Sequence, residues 1–219
     1  LKLGGGEGVH KDTILGMSRE QVRMKYSNLL SINEDMGERL SSWDGVNSFV
    51  VEELIEQAPE LSVLHPQSLN GIRIPTIRTE NGIVVYQPWL RMGRGNSFTD
   101  NAHSGGLQAG IDIETGVVDT NGFSENPQEY EFHPDTNIRI KGLQIPYWSE
   151  LIDIVKVLAS KLNSINYVGW DMVLSTKGWM LVEGNFRGDF KWQLFREKGM
   201  KAEFEELTGI HIDKEFWWE

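Results

Sequence analysis

A chain of 219 residues has room for one large domain or two small lobes and for a substantial core. Its net charge of -11, from 32 Asp and Glu against 21 Lys and Arg, speaks against long-range attraction to nucleic acid or anionic lipid, so any anion must be held by placed Arg, Lys and backbone amides. The lack of Cys excludes disulfides, zinc thiolate sites and thiol catalysis. No apolar run reaches the roughly twenty residues of a membrane-spanning helix. With no signal-peptide pattern either, a cytoplasmic address is expected.

The chain starts at Leu1, directly in a strand and a glycine loop, and is read as a fragment. Gly4, Gly5, Gly6 and Gly8 form a run whose amides can cradle phosphates, although such runs also serve as plain turns or linkers. Lys2 just before it is either a point charge for a phosphate or an exposed edge-strand residue. Ser18 to Gln21 reads as a capping box opening a helix that runs to about Leu40. Residues 47–51 read as a buried strand, followed by acidic residues 52–56, which are either a hinge between lobes or a solvated helix start.

From residue 68 to 118 the pattern changes to short strands and turns, with a hairpin around residues 80–82. Arg73, Arg78, Arg91 and Arg94 lie on or beside it, suited to bidentate phosphate or carboxylate binding or to ordinary surface pairing. Residues 100–106, Asp-Asn-Ala-His-Ser-Gly-Gly, form a polar, glycine-rich loop in which His103 is a candidate acid or base, or else a surface residue. Residues 119–143 are polar and turn-rich and carry no assigned chemistry. From Pro146 to Leu162 the apolar spacing of Leu151, Ile154, Val155, Leu158 and Leu162 predicts a helix, and two shorter helices follow at about 190–198 and 200–207.

Residues 167–185, YVGWDMVLSTKGWMLVEGN, predict a hairpin. With a three-residue loop Asp171 stands opposite Glu183, and Asn185, two further on, shares that face. Two carboxylates that close repel unless a positive group lies between them, and a hard divalent cation is the usual occupant.

The order of these parts, together with SLNGIRIPTIR (68–78), RMGRGNSFTDNAHSGGL (91–107) and GWDMVLSTKGWMLVEGN (169–185), resembles the ATP-grasp superfamily, most of all its sugar-transfer-associated family. The resemblance implies an α+β ATP-grasp fold with a partial small lobe over 1–60 and a large lobe over 61–219, an N-terminal domain being missing. It implies ATP and magnesium as cofactors. Lys2, Gly4, Gly5, Gly6 and Gly8 would hold the phosphates, Glu53, Leu54 and Ile55 would meet adenine, and Glu60 or Glu56 the ribose. Asn101 joins the nucleotide-binding set. Asp171, Glu183 and Asn185 would bind magnesium, and Arg73, Arg78 and Arg94 would face the γ-phosphate or an acyl-phosphate.

Many ATP-grasp ligases carry an Arg two residues before the metal-binding Asp, where this chain has Gly169, so that role passes to an Arg such as Arg73 or Arg94 or is absent. The implied activity joins a small-molecule carboxylate to an amine, plausibly on a sugar or polysaccharide precursor. Phosphotransfer to a hydroxyl and nucleotide binding without turnover are the alternatives, and the oligomeric state is open.

Overall fold

The computed structural model describes residues 55–126 and 128–186, together with 2–3, 18, 20–21, 49–50, 193, 196, 198–209 and 211. The chain divides into two units, Leu1–Leu54 and Ile55–Glu219. In the first, β1 (Lys2–Leu3) pairs antiparallel with β2 (Phe49–Val50). Ser18 and Gln21 exchange the reciprocal bonds of a capping box, Ser18 N–H to Gln21 Oε1 at 2.7 Å and Gln21 N–H to Ser18 Oγ at 3.2 Å. The glycine loop at 4–8, most of the helix expected after it, and Glu53 and Leu54 lie outside the described residues.

The second unit is built on one antiparallel sheet. Its strands are β3 (Gly71–Thr79), β4 (Gly82–Val85), β5 (Trp89–Met92), β6 (Leu107–Gly110), β7 (Gly122–Phe123), β8 (Glu129–Tyr130), β9 (Tyr167–Ser175) and β10 (Gly178–Asn185). They lie in the order β10-β9-β3-β5-β6-β7-β8, with β4 beside β3. Strand β3 pairs with β5 over residues 71–73 and with β4 over residues 76–79. Pro75, which has no N–H to give, falls in the gap between those two partners.

Side chains alternate across this sheet, and the two faces differ in kind. Ile72, Ile74, Leu90, Met92, Leu107, Ala109, Val168, Trp170, Met172 and Leu174 are buried on one face. Helix α2 (Trp148–Ser160) belongs to the same core through Trp148, Leu151, Val155 and Ala159, the three-and-four spacing of one helical stripe. Each fully buried aliphatic side chain contributes about 2 kcal/mol, which is what holds the helix to the sheet. Gly116, at φ +72°, sits where a Cβ would stand 2.3 Å from the Trp148 ring, so only glycine fits beneath the start of α2. On the other face Ile77, Tyr86 and Trp89 form a second, smaller apolar cluster with Met200 and with Phe204 and Leu207 of α3 (Lys201–Thr208).

The 167–185 hairpin forms with one correction to its turn. Gly178 pairs with Ser175, so the loop has two residues, Thr176 and Lys177, rather than three. Gly178 takes φ +104°, and Ser175 Oγ–H closes the turn on the Gly178 carbonyl at 2.8 Å. The register then shifts between Leu181 and Glu183, where Val182 is an extra, bulged residue. That shift restores the pairing Glu183↔Asp171 and Asn185↔Gly169. Without it Glu183 would stand opposite Trp170 and point into the core.

Candidate functional site

The face of the sheet away from α2 is polar along one cross-strand row: Glu183 on β10, Asp171 on β9, Arg73 on β3 and Trp89 on β5 are successive neighbours. The next row brings Val173, Gly71, Arg91 and Gln108 together. Asp171 is the hub. Its Oδ2 accepts from Arg73 Nη2 at 3.0 Å and from Arg91 Nη1 at 2.9 Å, and its Oδ1 pairs with Arg73 Nε. The Asp171 and Arg73 side chains are only 13% and 14% exposed, so these are charge-assisted bonds in poorly solvated surroundings.

Two glycines make room for the two guanidiniums. A Cβ on Gly169 would lie 3.2 Å from Arg73 Cδ and 3.5 Å from its Nη1, so the Arg73 stem occupies the space a side chain at 169 would need. Gly71 stands between Arg91 and Val173 in the pairing, and Arg91 crosses that gap to reach Asp171. Gly71 also donates its N–H to Asp100 Oδ2 at 3.1 Å, while Asp100 Oδ1 accepts from Arg91 Nη2 at 2.9 Å. Asp100 therefore anchors Arg91 from behind. Its loop is tight: a Cβ on Gly106 would lie 2.5 Å from the Asp100 carbonyl oxygen.

The charges respond to this crowding. Burial pushes the Asp100 carboxyl up, Arg91 pulls it back, and the nearby Asp171 adds to the rise. Burial lowers Arg91, but Asp100 and Asp171 outweigh it, with Glu183 contributing, and hold the guanidinium above its ordinary value. Glu183 thus acts on the same cluster as Asp171.

The other expected residues are distributed as follows. Arg78 is five residues from Arg73 on the same strand and so faces the opposite way, where its Nη2 donates to the carbonyls of Ala159 at 2.8 Å and Leu162 at 3.4 Å at the end of α2. Arg94 lies beyond β5, donating to Tyr130 Oη at 2.7 Å with its guanidinium 5.4 Å from that ring. Asn185 Nδ2 donates to the Gly169 carbonyl at 3.4 Å. Asn101 accepts main-chain bonds from Ser104 and Gly106 through its own carbonyl, capping the short 3-10 turn Ala102–Ser104. His103 is exposed and pairs with Glu125 at 2.9 Å. Ile55 is half-buried and Glu56 exposed, and Glu60, exposed in α1 (Pro59–Ser62), lines a hollow of about 300 Å³ with Tyr147, Glu150 and the 175–178 turn.

The turn that carries Arg94 is held by groups the sequence did not mark. His133 Nε2–H donates to the Gly93 carbonyl at 2.8 Å and His65 Nε2–H to the Gly95 carbonyl at 2.9 Å. Asp135 accepts from Gly95 N–H at 2.6 Å, and the Asn70 side chain from Gly93 N–H at 3.3 Å. Both His rings and Asn70 are buried.

The family model for sugar-transfer associated ATP-grasp proteins matches residues 5–209, nearly the whole chain. The chain belongs to this family. Comparison with curated proteins and with solved structures gave no match. The mixed α+β architecture with its antiparallel sheet is an ATP-grasp fold, and membership supports an ATP-binding, ATP-dependent enzyme. No helix among the described residues is long and apolar enough to cross a membrane.

ATP-grasp enzymes pair ATP with magnesium, and the donor set here suits that ion. Asp171 and Glu183 offer carboxylates from facing positions, and Asn185 an amide two residues on. Among the described residues no three acidic, His or Cys side chains are placed to hold a metal by themselves. Magnesium takes one or two carboxylates and completes its shell with phosphate oxygens and water, so a two-carboxylate, one-amide set fits it when nucleotide is present.

Proposed function

We propose that this ATP-grasp protein is a magnesium-dependent carboxylate–amine ligase acting in polysaccharide or cell-envelope biosynthesis, in the cytoplasm where ATP is supplied. A small-molecule carboxylate attacks the γ-phosphate of ATP, ADP leaves, and an amine, on a sugar or a polysaccharide precursor, captures the acyl-phosphate with release of phosphate. The observation that carries this reading is the row Glu183–Asp171–Arg73 with Arg91 beside it, which concentrates both signs of charge on one face of the sheet. The sugar-transfer association of the family supports the acceptor class.

Phosphoryl transfer asks a protein for position and electrostatics more than for a nucleophile. Asp171, Glu183 and Asn185 would hold magnesium, whose charge would offset that of the phosphates. Arg73 and Arg91 supply positive charge where negative charge builds up in the transition state. Asp100 keeps Arg91 aimed, since its carboxylate both pairs with that guanidinium and is tied to the backbone at Gly71.

The test is carboxylate-dependent ADP release by the full-length protein over a panel of acids and amines. Release with an amide product and free phosphate is expected. A product that keeps the phosphate would assign hydroxyl phosphotransfer instead, and no release with any acid would remove the ligase reading.

A further inference from the structure

Asp171 is held from two sides, and the two holds differ. Arg91 has a second carboxylate, Asp100, which is fixed in turn by the Gly71 N–H. Arg91 detached from Asp171 would still be tethered. Arg73 has no such anchor: among the described residues its partners are Asp171 and the Trp89 ring, 6.0 Å from its guanidinium carbon. Its Nη1 makes no hydrogen bond to a described residue, and the stem lies over Gly169, where there is no side chain in the way. Three guanidinium contacts fall on the two oxygens of Asp171, so a cation coordinated there competes with them. Of the two, Arg73 is the one able to leave, because Asp100 keeps Arg91 in place.

On the reading of this face as an ATP site, we propose that Arg73 is an exchangeable partner of Asp171. It gives up the carboxylate when the cation and phosphates arrive, and turns across Gly169 to the terminal phosphate, while Arg91 stays pinned by Asp100 as a positioning residue. The exchange conserves charge pairing: Asp171 passes from a guanidinium to the cation, and Arg73 passes from a carboxylate to a phosphate. Its consequence is selectivity. A nucleotide without a γ-phosphate gives Arg73 nowhere to go, so ADP must compete for Asp171 without that compensation.

Equilibrium binding of Mn²⁺ with ADP and with a non-hydrolysable β,γ-imido ATP analogue, on the whole protein, reads this directly. Wild type is expected to prefer the analogue by about tenfold or more, the worth of a charged hydrogen bond. Arg73→Gln should bring the ratio close to one while binding Mn²⁺·ADP at least as tightly as wild type, because the competitor for Asp171 is gone. Asp100→Asn should weaken both nucleotides and leave their ratio near that of wild type. A measurement on unmutated protein covers the event that Arg73→Gln does not fold: the Arg73 Nε–H resonance should move on adding the analogue with Mg²⁺, and further than any Arg91 resonance. A wild-type preference retained by Arg73→Gln, or an unmoved Arg73 resonance on saturation with the analogue, would overturn the exchange while leaving the ATP site standing. Wild-type protein that binds neither nucleotide would overturn both.

Discussion

If Asp171 is the hub of a largely buried charge cluster, Arg73 and Asp171 should be strongly coupled in folding energy. A double-mutant cycle of Arg73→Ala, Asp171→Ala and the pair isolates that term. The structure sets the scale. Arg73 reaches both oxygens of Asp171 through Nε and Nη2, with side chains 14% and 13% exposed. Exposed ion pairs are worth about 0–1 kcal/mol, whereas hydrogen bonds between charged groups in such surroundings contribute about 1.5–3 kcal/mol, so a coupling near 2 kcal/mol is expected. Arg73→Ala alone should cost about as much, rather than the roughly 3–5 kcal/mol of stranding a buried charge, because Arg91 still holds Asp171. In a unit of this size that lowers the melting temperature by about 4–8 °C, at about 2–4 °C per kcal/mol. Urea titrations of the four proteins give the cycle. A coupling below about 0.5 kcal/mol, the range of a solvated surface pair, would refute the picture of a desolvated hub.

Three further outcomes separate scaffold from site. Arg78→Ala, which removes the guanidinium from the last carbonyls of α2, should destabilise by about 1–2 kcal/mol and leave nucleotide affinity at the wild-type level in a titration. Deleting Val182 removes the bulge but leaves Glu183 opposite Asp171, so nucleotide binding should survive, and its loss would mean the bulge itself shapes the site. His133 is buried with Nε2–H on the Gly93 carbonyl, and burial holds its pKa below 6.5. The unfolded chain therefore takes up the proton first as pH falls. The stability from His133 is complete above about pH 6.5 and is lost as pH drops through the depressed folded value. Urea midpoints between pH 7 and 5 should fall less steeply for His133→Gln than for wild type, and equal slopes would refute the assignment.

The sequence carried the family, the polar face of the hairpin and the α2 stripe because each depends on local spacing or on a motif. It carried Glu183 opposite Asp171 only by a compensation: a three-residue loop was expected where a two-residue loop and a bulge at Val182 give the same pairing. No residue pattern marks that bulge. Arg73 and Arg78 were separable in principle, since five positions apart on one strand means opposite faces, yet Arg78 is spent on the end of α2.

Arg91 stood among the four arginines without a place in the expected site. What brings it in is the pairing Gly71↔Arg91, a long-range register that composition does not encode. Asp100 went unmarked beside Asn101 for the same reason, since its value lies in meeting Arg91 and the Gly71 N–H in three dimensions. The 119–143 stretch read as featureless contains β7, β8 and the buried His133, because short strands between turns have too few residues to show a period.

The claim on which the rest depends is that Asp171 and Glu183 face the cation of a bound nucleotide. A crystal of the whole protein grown with Mn²⁺ and β,γ-imido ATP, measured for anomalous scattering, tests it in one step. The account predicts a manganese peak about 2.0–2.3 Å from oxygens of both carboxylates, with analogue phosphates completing the shell. Nucleotide and manganese bound elsewhere, with Asp171 still shared between Arg73 and Arg91, would contradict it.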